Sequence, residues 1–87
     1  MSKEKIIYKY LLEITDLQTI ELPKSAKYLD IQFMGSQLFL WAMHDTDDKD
    51  YRIDEISIIG TGNPFPNRVI EHYKTVQHNG FVWHIFI

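Results

Sequence analysis

Eighty-seven residues, 45% hydrophobic and 24% charged, make one small globular domain spanning 1–87, too apolar for composition-driven disorder and too short for two cores. Twelve acidic against nine scattered basic residues leave a net charge of −3, so no basic stripe exists to bind duplex nucleic acid. No cysteine is present, no apolar run approaches the ~20 residues that cross a bilayer, and Met1-Ser2-Lys3-Glu4-Lys5 lacks the apolar stretch of a signal peptide, so a cytoplasmic protein without membrane contact is expected.

In chain order, segment 5–13 (KIIYKYLLE) is rich in β-branched and aromatic residues, and after a polar break at Thr15-Asp16 a second run, QTIEL, ends at Pro23; both read as strands. Segments 27–34 and 37–44 flank Gly35-Ser36, the Gly-X pair that a type II′ hairpin requires. Segment 51–59 is a further strand, entered from the acidic run Asp45–Asp50 and closed by Gly60-Thr61-Gly62-Asn63-Pro64-Phe65-Pro66. Residues 67–74 predict a short helix or helical turn with Asn67 as its N-cap. The chain ends in TVQH, Asn79-Gly80 and FVWHIFI, the signature of a type I′ hairpin, whose two turn residues both need positive φ. The expected fold is all-β or β-rich α+β: about six or seven antiparallel strands in a small sandwich or open barrel, with one short helix near 67–74.

A two-residue turn at Gly35-Ser36 pairs Phe33 with Leu38, Ile31 with Leu40 and Leu29 with Ala42 on one face, which is wholly apolar and therefore core. The other face pairs Met34 with Gln37, Gln32 with Phe39, Asp30 with Trp41 and Tyr28 with Met43. Large aromatics there need a cover, because a half-exposed sheet normally turns polar residues to water. Three covers are open: the domain's own chain, a subunit interface, or a planar ligand stacked on the rings with Asp30 and Gln32 as hydrogen-bonding partners. Without disulfide or metal staple, a chain this small is expected to form a homo-oligomer.

The loop from Gly60 can expose N–H groups as an anion nest, with Thr61, Gly62 and the following Arg68 as phosphate contacts, although it lacks a P-loop lysine and also reads as a plain chain reversal. His44, His72, His78 and His84 have no zinc-ligand spacing. Lys49 and Ile56 break the match of Asp45–Asp50 to a calcium loop. No serine lies in a G-x-S-x-G setting. No catalytic residue, metal or cofactor is therefore expected.

Ile7-Tyr8-Lys9-Tyr10, Leu12-Glu13-Ile14-Thr15-Asp16, Gln18-Thr19-Ile20-Glu21-Leu22-Pro23-Lys24, Leu40-Trp41-Ala42, Gly60-Thr61-Gly62-Asn63-Pro64 and Phe81-Val82-Trp83-His84-Ile85-Phe86 together resemble a family of short, uncharacterised proteins encoded by tailed phages and prophages. The resemblance spans nearly the whole chain and implies a phage setting without supplying an activity. Joined to the residues above, it yields the expected function: a non-enzymatic binding protein that sequesters a nucleotide-derived host immune signal through Tyr28, Asp30, Gln32, Phe39, Trp41, Thr61, Gly62 and Arg68. The alternative is a structural or protein-interaction accessory of a phage or prophage using the same aromatic patch.

Overall fold

The computed structural model describes residues 4–65 and 71–87. Among them the chain forms seven antiparallel strands: β1 (Lys5–Leu12), β2 (Gln18–Pro23), β3 (Lys27–Met34), β4 (Gln37–Asp45), β5 (Tyr51–Gly60), β6 (His72–His78) and β7 (Phe81–Phe86). They assemble into a three-stranded sheet, β1-β4-β3, and a four-stranded sheet, β2-β5-β7-β6. Each sheet keeps two edges, so the architecture is a sandwich and not a closed barrel.

Period-two alternation builds the core. In β4, Leu38, Leu40, Ala42 and His44 are buried while Phe39, Trp41 and Met43 between them are half-buried, as a strand with one face inward requires. Leu12, Ile31, Leu38 and Leu40 from the smaller sheet pack against Ile56, Ile58, Val76 and Ile85 from the larger one. A second cluster of Leu22, Ala26 and Ala42 continues the core towards the β2–β3 turn.

Both expected hairpins form. Met34 pairs with Gln37 across a turn in which Gly35 has φ 62°, fitting a type II′ reversal, and Asn79 and Gly80 take φ 51° and 82°, both positive as a type I′ turn demands. β7 lies inside its sheet between β5 and β6, whereas β6 is an edge.

Two expectations are corrected. The expected helix near 67–74 is not formed at its C-terminal end, since residues 72–74 belong to β6; Pro66 to Ile70 lie outside the described residues. The apolar run FVWHIFI requires a ladder partner along its whole length, and the pairing reaches Glu71 and Ile87, whose backbones exchange hydrogen bonds of 3.4 and 3.0 Å. That ladder outweighs the small intrinsic preference of a single helical turn.

The second correction concerns the first hairpin. Its register shifts between Tyr28 and Asp30, so that Tyr28 pairs with Ala42 and Lys27 with Met43. Leu29 is the extra residue of a β-bulge; it is 45% exposed where a core position was expected. The bulge turns Tyr28 inward, where its hydroxyl donates to Asp54 on β5 at 2.7 Å. The freed carboxylate of Asp30 accepts the Ile31 N–H at 2.9 Å.

Candidate functional site

The alternation that buries Leu38, Leu40 and Ala42 leaves the outer face of β1-β4-β3 with a band of large side chains. Row by row across β1, β4 and β3 this face carries Leu11, Phe39 and Gln32, then Lys9, Trp41 and Asp30, then Ile7, Met43 and Lys27. Leu11 and Ile7 are 56% and 55% exposed, and Phe39 and Trp41 are half-buried. The Phe39 and Trp41 rings lie 6.1 Å apart and tilted, and the Lys9 ammonium sits 4.5 Å from the centre of the Phe39 ring, a cation–π contact.

Charges rim the band. Lys5 pairs with Asp45. Asp30 pairs with Lys74 of β6 and accepts from the Gln32 amide. The Lys74 ammonium holds the Asp30 carboxyl below the usual carboxylate range against the opposing effect of burial, with the Ile31 N–H and the Gln32 amide adding to the lowering. Lys9 forms no ion pair among the described residues.

Four of the expected ligand residues, Asp30, Gln32, Phe39 and Trp41, therefore share one surface. Tyr28 does not: it faces the interior, edge-on to Tyr73 at 5.8 Å, in an open cleft of about 310 Å³ shared with Arg52, Asp54 and His72. Thr61 and Gly62 lie on the far side of the sandwich, where the Thr61 hydroxyl is 2.7 Å from His84 Nε2 on the outer face of the larger sheet. The N–H groups flanking Gly62 are spent within the chain: Thr61 donates to the Val82 carbonyl and Asn63 to the Gly60 carbonyl, each at 3.1 Å. Arg68 lies outside the described residues.

Two arrangements have no counterpart in the sequence reading. Arg52 donates through Nε to both oxygens of Asp54 at 3.2 Å, which places Tyr28, Arg52 and Asp54 in one half-buried relay; the spacing of Arg52 and Asp54 on one strand face is the signal that could have found it. On the opposite outer face, His84 Nδ1 lies 3.1 Å from the Thr75 hydroxyl, which lies 2.9 Å from His72 Nε2. Neither group brings together three metal-ligating side chains, and no such cluster occurs among the described residues. The acidic run fastens the loop: Asp48 accepts the Ser25 N–H at 2.7 Å and the Asp50 N–H at 3.1 Å. No helix among the described residues is long and apolar enough to cross a membrane.

Burial pushes the Tyr28 phenol well above its ordinary value, and the Asp54 carboxylate that accepts its hydrogen bond raises it further. A group whose acid constant is raised on folding contributes stability that is fully present below its unfolded value, about 10 for tyrosine, and is lost as pH rises towards the folded one. Denaturant midpoints are thus expected to fall above about pH 10, with Tyr28 the last tyrosine to titrate by phenolate absorbance, after Tyr10 and Tyr73, which burial also raises. The Tyr28→Phe variant should show a shallower alkaline decline; an unchanged decline would assign it to other groups.

Residues 3–87 match the model of a family described as a domain of unknown function, DUF7352. No curated protein and no solved structure matches the chain.

Proposed function

The chain belongs to the DUF7352 family, and for it we propose a non-enzymatic binding role exercised through the outer face of β1-β4-β3, with another protein as its occupant. The observation that carries this reading is the band of Ile7, Leu11, Phe39, Trp41 and Met43, exposed or half-exposed on the unbroken β1–β4 pair. Aromatic and Met side chains are enriched in protein contacts, and small-molecule sites are typically concave. Lys9, lying over Phe39 without a carboxylate partner among the described residues, favours an apolar partner surface that carries an acidic group. In the phage setting that the sequence resembles, that surface belongs to a host or virion protein.

The ring pair with its neighbouring ammonium also supports a second reading, capture of a nucleotide-derived host signal. In it a base stacks on Trp41, Lys9 meets phosphate, and Asp30 and Gln32 meet the polar edges. Stacking contributes about 1–3 kcal/mol per base in single-strand binders. The phosphate contacts expected from Thr61 and Gly62 do not support it, because they lie across the sandwich from Trp41.

One pair of measurements separates these readings. Capture with the intact protein, the Trp41→Asp variant and a control Ile53→Asp on the other sheet should retain one dominant protein that only the Trp41 change loses. A nucleotide present at 100 times its dissociation constant should instead stabilise the domain by about 2.7 kcal/mol, a shift of several degrees. If neither a Trp41-dependent protein nor a nucleotide shift is found, the outer face is not the working surface.

A further inference from the structure

Each sheet of the sandwich ends in two edges, and an unmodified edge strand is a template for pairing with another chain. β3 is interrupted by its bulge at Leu29 and bound to β6 through Asp30–Lys74 and a Phe33–His78 stack at 4.5 Å. β6 has its own register shift between His72 and Lys74, and β2 is short and ends at Pro23. β1 has none of these devices: its register with β4 runs unbroken from Lys5↔Asp45 to Leu12↔Leu38, without proline or glycine. Its two lysines do not guard the edge, because Lys5 is drawn to Asp45 and Lys9 to the Phe39 ring, both over the strand's own sheet.

We propose that β1 is a homodimerisation edge, pairing antiparallel with β1 of a second copy about a two-fold axis at Tyr8, so that two three-stranded sheets become one of six strands. The direction of the backbone groups fits. Thr46 N–H donates to the Glu4 carbonyl at 3.0 Å, which sets the alternation: even-numbered residues of β1 turn their N–H and C=O to β4, and Lys5, Ile7, Lys9 and Leu11 turn theirs to the open edge. Pairing must also keep inward side chains opposite inward ones.

Overlap and charge then select among the remaining registers: an axis at Tyr10 pairs only residues 8–12 of β1 and leaves Lys5 and Ile7 without a partner on the second strand. An axis at Lys9 sets that lysine against Lys9 of the second copy, and an axis at Ile7 sets Lys9 against Lys5; both place like charges directly opposite. An axis at Tyr8 sets Lys9 against Ile7, Lys5 against Leu11, and Tyr8 against its own copy. Ile7, Tyr8 and Leu11 are 55%, 50% and 56% exposed, and this register gives each of these β1 side chains a cross-strand neighbour at the edge while leaving the outer face of the sheet open. The inference is independent of what occupies the outer face.

Sedimentation equilibrium and hydrogen exchange on the full chain test it. A monomer–dimer equilibrium is expected, and the Ile7→Lys variant should raise its dissociation constant about fivefold or more by facing Lys9 in both symmetry-related pairs, whereas Ile7→Glu should lower it. The amides of Ile7 and Lys9 should exchange slowly in the dimer and quickly on dilution, while those of Tyr8 and Tyr10 stay slow in both. Circular dichroism of the two variants checks that the exposed substitution leaves the fold intact. A protein that stays monomeric at millimolar concentration overturns the proposal, as does equal weakening by both variants or protection at Ile7 and Lys9 that ignores dilution.

Discussion

The Ile85→Ala variant is expected to lose about 2–5 kcal/mol of unfolding free energy, because truncating a fully enclosed branched chain removes its transfer free energy and leaves a cavity that rigid neighbours fill only in part. Ile85 is 0% exposed and lies on β7 opposite Ile58 of β5 and Lys74 of β6, with Ile31 and Leu40 of the other sheet in the same core. At 0.05–0.15 kcal/mol per residue a domain of this length holds about 4–13 kcal/mol in all, so the substitution removes a large fraction. The thermal midpoint should fall by at least about 10 °C. Ile53, 68% exposed on β5, provides the contrast, since Ile53→Ala should stay within about 0.5 kcal/mol. A loss below about 1 kcal/mol for Ile85→Ala, read from urea unfolding, would mean that the two sheets do not share one core.

That contrast also explains which parts of the fold the sequence reveals. Gly35-Ser36 and Asn79-Gly80 decide their hairpins within a few residues, and alternation then assigns Phe33, Ile31, Leu38 and Leu40 to the interior. The bulge at Leu29 is different. Its long-range gain is Tyr28 reaching Asp54 on another sheet, so no local pattern around 28–30 announces it. The β6 segment is hidden for a related reason: the strand preference of Tyr73 stands among Asn67, Glu71 and His72, which do not share it, and the ladder demanded by β7 assigns the segment.

The same limit applies to the candidate site. Asp30, Gln32, Phe39 and Trp41 are legible together because one hairpin holds them in register. Thr61 and Gly62 join them only by chemical plausibility, and the sandwich sets a whole core between the two groups. The β1 edge is legible in neither composition nor motif, because its meaning comes from what the other three edges have and it lacks.

Gly60→Ala is the second large expected effect, and it arises from close approach between neighbouring elements. A Cβ at Gly60 would lie 2.8 Å from Asn63 Nδ2 and 3.1 and 3.4 Å from Cζ3 and Cε3 of Trp83. The Asn63 amide stands on an exposed loop and can swing away at little cost. The Trp83 ring pairs across from Gly60 and packs on the core, so it moves only by opening contacts beneath it. Overpacking of this kind costs about 1–3 kcal/mol. Adding Asn63→Ala to Gly60→Ala should recover only a small part of that loss, whereas full recovery would place the conflict in the loop. Measured in a Trp41→Phe background, so that Trp83 is the sole indole, the Gly60 change should also alter near-ultraviolet dichroism. An unaltered signal with undiminished stability would show that the ring yields freely and that this corner of the sandwich is not close-packed.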